Sequence, residues 1–147
     1  MSASNANKLG ISREEFQAIG EIGAMFYKQG NLEKAQVIFE GLIEADSESG
    51  AAHSALGALL THKGEEESAL KHLNRTIQLD DKQIAPFVNR AEVFLRQRKL
   101  EAAIADLKRA IELDPKEKDR GANRARAMVL GIYQEIEAQK AQKAKNN

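Results

Sequence analysis

Apolar residues recur at helical spacing on six segments of the chain, arranged as three pairs. The first pair shows the spacing, with apolar residues three or four apart on both of its segments: Ile19, Ile22 and Phe26, then Ala35, Phe39, Leu42 and Ile43. Gly30 separates these two segments and Gly64 separates the next two. Because glycine readily adopts the left-handed conformation that ends a helix, each pair predicts a helical hairpin.

The three pairs are copies of one unit at a fixed interval. Ala35, Ala69 and Ala103 are 34 residues apart, as are Gly23, Gly57 and Ala91. The units therefore span 16–49, 50–83 and 84–117. A period of 34 with small residues at the eighth and twentieth places resembles the tetratricopeptide repeat. The resemblance implies an all-α fold, a right-handed superhelix of three tetratricopeptide helix hairpins within residues 11–115.

The small residues at the eighth and twentieth places predict close contact between the two helices of a hairpin. Glycine inside a helix costs about 1 kcal/mol relative to alanine, so Gly23 and Gly57 need a packing reason. The third unit departs from the pattern twice. Arg90 replaces the usual bulky apolar residue, and Arg98 replaces the usual turn glycine.

The regions outside the repeats predict two loose ends and one further helix. Residues 1–10 are polar and predict a disordered tail, after which Ser12 and Glu15 have the spacing of a capping box. After Pro115 the period stops, but one apolar stripe continues and predicts a C-terminal capping helix over 118–143. The charged face of that helix, with Arg124, Arg126 and Lys140, is interpreted as solvated. Residues 144–147 are expected to be loose.

Composition excludes several classes of protein. The 147 residues contain 22 Lys and Arg against 22 Asp and Glu, which argues against a nucleic-acid partner. There is no Cys, so disulfides and thiolate zinc sites are excluded. The sequence has no apolar run long enough for a membrane span, and no membrane insertion is expected. Its beginning lacks the pattern of a signal peptide, so the cytoplasm is the expected location.

The sequence shows no pattern typical of an enzyme. His53, His62 and His72 lack the spacing that places two imidazoles on one helix face, and no glycine-rich phosphate loop is present. His53 is interpreted as a packed aromatic residue and His62 as a residue facing a partner. No catalytic residue, metal ligand or cofactor is predicted.

A binding surface follows from the angles around the first helix of each unit. Places 4, 7, 8 and 11 of that helix face inward, and places 2, 5, 9, 12 and 13 face the opposite side, which lines the concave wall when such hairpins stack. Small residues there leave room for the side chains of a guest, and polar ones can bond an extended backbone. The predicted peptide-binding groove consists of Gln17, Gly20, Ala24, Tyr27, Lys28, Ala51, Ser54, Ala58, Thr61, His62, Ala85, Val88, Glu92, Leu95 and Arg96.

The whole chain also resembles the class II chaperones of bacterial type III secretion, which hold translocator subunits before export. The resemblance rests on the number of repeats, the single long helix after them, and motif residues: Phe26-Tyr27, Gly30, Ala35, Phe39, Leu42, Asp46 and Leu56-Gly57. It implies a client protein or peptide segment bound in the groove through apolar residues. It also implies a homodimer through the N-terminal helix and first repeat.

One other interpretation remains open: the chain could be a structural adaptor that joins folded partners through its convex face or its C-terminal helix. A third interpretation, nucleic-acid binding through residues 120–126, predicts steep salt dependence of binding, which is not expected. The carboxylate clamp of repeat adaptors for heat-shock chaperones is absent, because its places hold Gly20, Ala24, Ala55, Ala85 and Asn89.

Overall fold

The computed structural model describes residues 9–147, which form seven α-helices and no strand. The predicted all-α fold is therefore confirmed. The described chain forms two compact units that divide between Lys82 and Gln83. The helices of the first unit are α1 (Arg13–Lys28), α2 (Leu32–Ala45), α3 (Gly50–Lys63) and α4 (Glu66–Leu79); those of the second are α5 (Ile84–Arg96), α6 (Leu100–Glu112) and α7 (Arg120–Lys145).

Short polar side chains determine where several helices begin. The amide of Glu15 donates to the hydroxyl oxygen of Ser12 at 3.1 Å, and the amide of Ser12 donates to the Glu15 carboxylate at 2.8 Å. This is the predicted capping box, and it starts α1 before the first repeat begins. Asn31, Ser49 and Asp119 cap α2, α3 and α7 in the same manner with their side chains. The tail predicted to be disordered spans residues 1–10, and residues 1–8 of it lie outside the described part of the chain.

The first unit consists of the hairpins α1–α2 and α3–α4, joined by packing of α2 against α3. A Cβ atom built on Gly23 would lie 2.6 Å from Cε1 of Phe39, and one on Gly57 would lie 2.7 Å from Cδ2 of Leu73. Real Cβ atoms do not approach other atoms so closely, because repulsion rises steeply at that distance. The sequence-based prediction of close helix contact at these glycines is confirmed.

The first hairpin carries exposed apolar residues on both of its helices, Ile22 and Met25 on α1 and Val37 on α2, which we term the outer apolar face. Their exposed fractions are 46%, 46% and 70%. In the second hairpin, the places of Ile22 and Met25 hold Leu56 and Leu59, which are buried, and the place of Val37 holds Lys71, which is exposed. Several exposed apolar residues on one hairpin are typical of an interaction surface.

The second unit contains the α5–α6 hairpin, with α7 packed against both of its helices. The guanidinium of Arg90 on α5 pairs with the carboxylate of Asp106 on α6 through two hydrogen bonds of 2.7 Å. The same guanidinium lies 5.7 Å from the ring centroids of Phe87 and Phe94. The place of Arg90 is apolar in the other two repeats, but here it belongs to a mostly buried ion pair beside two aromatic rings.

A second ion pair fixes the turn between α6 and α7. Arg126 donates to the carboxylate of Asp114, which also accepts from the amides of Lys118 and Asp119 at 3.1 and 3.0 Å. Burial by itself raises the pKa of Asp114, but the hydrogen bonds from Asp119, Arg126 and Lys118 outweigh burial and hold the pKa below its usual value. The carboxylate thus remains charged where α7 turns back.

The structure corrects two expectations about α7. This helix continues to Lys145, so part of the tail that was expected to be loose is helical. Its charged face is not simply solvated, because Arg124 pairs with Glu92 of α5 and Arg126 with Asp114. Lys140 does lie exposed and pairs only weakly with Glu137, at 3.5 Å.

We predict that Asp106→Ala lowers the free energy of unfolding by about 3 kcal/mol, because it removes the carboxylate that balances the charge of the mostly buried Arg90 guanidinium. The measurement is urea unfolding followed by circular dichroism. The double variant Arg90→Ile/Asp106→Ile copies the residues at the same places of the first repeat, Ile22 and Ile38. It should recover most of the loss, and a double variant as unstable as the single one would contradict the account.

We predict that Arg98→Gly raises the free energy of unfolding by about 0.5–1 kcal/mol. Arg98 has a φ of 59°, a left-handed conformation that crowds a Cβ atom, while Gly64 at the same place of the second repeat has a φ of 79°. The reciprocal control, Gly64→Ala, should lower stability by about 1 kcal/mol. Equal melting temperatures for wild type and Arg98→Gly would show that the backbone of Arg98 is not strained.

Candidate peptide-binding groove

The first helices of the two hairpins in the first unit, α1 and α3, lie side by side along one surface. Tyr27 on α1 and His62 on α3 meet edge to face, with ring centroids 5.9 Å apart and planes at 84°. The Tyr27 hydroxyl lies 3.4 Å from Nδ1 of His62. Burial raises the pKa of Tyr27, so its hydroxyl remains protonated at neutral pH. Two of the predicted groove residues thus form one contact across this surface.

A cavity of about 590 Å³ opens between α1, α2 and α3. Four of the predicted groove residues line it: Gln17, Gly20, Ala24 and Ala51. The other lining residues were not predicted: Arg13, Phe16, Glu21, Phe39, Leu42, Ser49, Ala52 and Ala55. The volume falls in the range of pockets that hold small ligands or several side chains of a peptide. We term this space the α1–α3 cavity.

Small side chains create the α1–α3 cavity. Gly20 and Ala24 face it from α1, and Ala51 and Ala55 face it from α3, so neither helix fills the space between them. A Cβ atom built on Gly20 would lie 3.7 Å from Leu42, an ordinary contact distance. Close packing therefore does not require glycine here, and the missing side chain leaves the cavity larger. The floor is formed by Phe39 and Leu42 of α2, and the surface is therefore mainly apolar.

The α1–α3 cavity also has polar groups that could bond a peptide. Arg13, Gln17, Glu21 and Ser49 line it besides the apolar residues. Gln17 donates to Glu21 across one turn of α1 at 3.3 Å, so these two side chains are already partly oriented. An apolar floor with a few polar groups suits a bound segment that buries side chains and keeps its backbone hydrogen-bonded.

Helical spacing could have revealed two of the residues that the prediction missed. Arg13 and Phe16 precede Gln17 and Gly20 by one turn, so they extend the same face of α1 toward its beginning. Arg13 was missed because it precedes the first residue of the repeat, and Phe16 because its place, the first, was not among the places assigned to the groove. Phe39 and Leu42 could not be found from the places on first helices, since they belong to α2.

The remaining predicted residues of the first unit lie differently from one another. Lys28 and His62 are exposed, while Ser54 and Ala58 are partly buried. Thr61 is only 2% exposed, and its hydroxyl donates to the carbonyl of Gly57 at 2.8 Å. The expectation that Thr61 offers its hydroxyl to a client is therefore corrected.

In the second unit, α7 covers part of the predicted groove face of α5. Val88 is buried, and a Cβ atom built on Gly121 of α7 would lie 4.0 Å from it. Glu92 accepts a hydrogen bond from Arg124, and Leu95 lines a cavity of about 360 Å³ together with Ile132 and Ile136 of α7. Ala85 and Arg96 are exposed. Val88, predicted to line the groove, is thus covered by α7.

The described residues contain no group of three or more His, Cys, Asp or Glu side chains placed to hold a metal ion. Across the same part of the chain, none of the helices has the length and apolar character needed to cross a membrane.

The geometry and the repeat define the class of this protein. The tetratricopeptide repeat family matches residues 25–84 and 86–117, which together span more than half of the chain. The chain belongs to the tetratricopeptide repeat proteins. No curated protein sequence matches it significantly.

Among solved structures, type III secretion chaperones resemble this fold over nearly their whole length. The Yersinia enterocolitica translocator chaperone SycD is 21% identical with a TM-score of 0.80, covering 89% of this chain and 99% of its own. PcrH from Pseudomonas aeruginosa is 24% identical with a TM-score of 0.76, covering 84% and 95%. PcrH in complex with the chaperone binding region of PopB aligns at 26% identity with a TM-score of 0.74, covering 81% and 98%.

Proposed function

We propose that this protein is a chaperone that binds an extended apolar segment of a client protein in the α1–α3 cavity. The observation that carries the proposal is the cavity itself, about 590 Å³ with an apolar floor and polar groups around it. A segment with one or two bulky apolar side chains would fill it. The polar groups of Gln17, Glu21 and Ser49 would then face the backbone of the segment.

The comparisons support a client of the translocator class. PcrH has been solved with the chaperone binding regions of PopB and of PopD, and SycD with a peptide of the translocator YopD. We propose by similarity that the client is a translocator subunit of a bacterial type III secretion system. The chaperone would hold it in the cytoplasm before export.

The proposed mechanism is binding and release without chemistry, so we infer that the protein is not an enzyme and needs no cofactor. Covering an apolar segment would suppress aggregation of the client. A small interface of this kind has modest affinity, on the order of micromolar, because ordering an extended segment offsets much of the gain from burial. The client can therefore be released at the secretion apparatus.

A homodimer is part of the proposal. The outer apolar face, with Ile22, Met25 and Val37, belongs to α1 and α2, the part of the chain through which the dimer was expected. Beside it, a shallow cavity of about 380 Å³ is lined by Phe26, Val37 and Ile38. SycD has been solved as more than one dimer. The adaptor alternative would use the convex face or α7 for folded partners and leave the α1–α3 cavity empty.

We predict that Ala51→Trp abolishes client binding, because the indole would occupy the α1–α3 cavity from its α3 side. The measurement is binding of wild type and variant to an array of peptides tiled across the secreted proteins of the host. Wild type should retain a small set of apolar peptides, with at least tenfold weaker retention by the variant, a change of about 1.4 kcal/mol.

The matched control is Ala105→Trp, at an exposed alanine of α6 that does not line the cavity. Circular dichroism should show both variants as helical as the wild type. Equal retention of the peptides by wild type and Ala51→Trp would reject the cavity as the client site and favour the adaptor.

We predict that Val37→Asp converts the dimer to a monomer, because it places a charge on the outer apolar face that the interface would have to desolvate. Analytical ultracentrifugation at micromolar concentration measures the change. Leu130→Asp, at a residue of α7 that is 59% exposed, is the control and should remain dimeric. A wild-type protein that is monomeric under these conditions would refute the dimer.

A further inference from the structure

Two imidazoles meet inside the second hairpin of the first unit. Nδ1 of His53 on α3 lies 3.0 Å from Nδ1 of His72 on α4, and the rings stack with centroids 5.2 Å apart. His53 is only 7% exposed. Its Nε2 lies 2.8 Å from the carbonyl oxygen of Ser47, in the turn before α3. The pair thus ties α4, α3 and that turn together.

Hydrogen bonding restricts how many protons the pair can hold. A carbonyl oxygen only accepts, so Nε2 of His53 carries a hydrogen and donates it to Ser47. The two Nδ1 atoms then share one hydrogen between them. The contact survives if one ring is charged, because an imidazolium can donate to a neutral imidazole. It does not survive if both rings are charged, since two N–H groups would then point at each other.

The charged groups around the pair oppose the uptake of further protons on balance. Lys71 and Arg75 of α4 line the same cavity as the two rings, and Glu40 of α2 is the nearby anion. The pKa of His72 is lowered by burial, then by His53 and Lys71, against a smaller opposite effect of Glu40. No carboxylate lines this cavity within the described chain, so the arrangement favours a shared proton over a bound metal ion.

We propose that the His53–His72 contact is an acid-sensitive clasp that holds the start of α3 in place at neutral pH and releases it in mild acid. The start of α3 includes Ser49, Ala51 and Ala52, which line the α1–α3 cavity. His53 follows them directly, and its amide donates to the Ser49 carbonyl at 3.1 Å. Acid would therefore weaken client binding, a consequence that rests on the proposed function.

The sign of the pH effect follows from linkage. A histidine with a pKa lowered by folding stabilises the fold fully above its unfolded pKa of about 6.5, and this stabilisation is lost as pH falls through the folded pKa. The clasp should thus be closed at pH 7.5, and it should open below pH 6.5 as the pH falls through the lowered pKa of His72.

The test compares melting temperatures at pH 7.5 and 5.0 for wild type, His72→Ile and His62→Ile, without any client. Isoleucine stands at the place of His72 in the first hairpin, as Ile38, so His72→Ile is expected to fold. Between pH 7.5 and pH 5.0, the melting temperature of His72→Ile should fall by about 3 °C less than that of wild type. His62 contacts Tyr27 rather than the clasp, so His62→Ile controls for the loss of one imidazole: its melting temperature at pH 7.5 can differ from that of wild type, but its fall with acid should not.

Nuclear magnetic resonance of the imidazole nitrogens gives a second readout, and the chain has only 3 histidines. At pH 7.5, His53 should carry a hydrogen on Nε2, and a single hydrogen should lie between its Nδ1 and Nδ1 of His72. Protection against hydrogen exchange, corrected for the intrinsic rate at each pH, should fall at residues 49–53 relative to residues 35–42 when the pH is lowered to 5.0. This loss should occur in wild type but not in His72→Ile. Independent titration of the two rings, or the same acid response in wild type and His72→Ile, would overturn the clasp. A failure of peptide binding alone would refute only the proposed function.

Discussion

The first unit depends on two places where helices approach too closely for any side chain larger than hydrogen. At Gly23 and Gly57 an added Cβ atom would lie 2.6 and 2.7 Å from Phe39 and Leu73, so each glycine lets a bulky residue of the second helix pack directly on the first. This contact sets how the two helices of a hairpin pack. It also leaves the opposite face of the first helix unpacked. The surface lined by Gly20 and Ala51 exists because packing uses the other side of α1 and α3.

One place of the repeat shows how the same packing tolerates different chemistry. Ile38 of the first hairpin corresponds to His72 of the second and Asp106 of the third. A buried polar group costs free energy unless it is hydrogen-bonded. Each polar residue accordingly has a partner on the facing helix: His53 for His72, and Arg90 for Asp106. The repeat constrains the spacing of helices, while the partners inside a hairpin vary. The first of these polar contacts joins two imidazoles, and the second joins a guanidinium and a carboxylate.

The placement of α7 gives the two units different roles. In the first unit, the face of α1 and α3 retains a cavity with an apolar floor. In the second, α7 lies on α5, buries Val88 and pairs Arg124 with Glu92. A helix that packs on this face protects apolar surface from water but also occupies space that a guest would need. We propose for this reason that the client binds to the first unit, while α7 covers apolar surface of the second.

The sequence by itself determined the seven helices, the close contacts at Gly23 and Gly57, and the start of α1 at Ser12, because these depend on local spacing and on residues with special conformations. It also predicted four residues of the cavity, including Gly20 and Ala51, from helical angles. Only the tertiary structure decided that Phe39 closes the floor and that α7 covers Val88. Both depend on contacts between elements distant along the chain, and a periodic pattern shows which face of a helix is apolar but not which partner covers it.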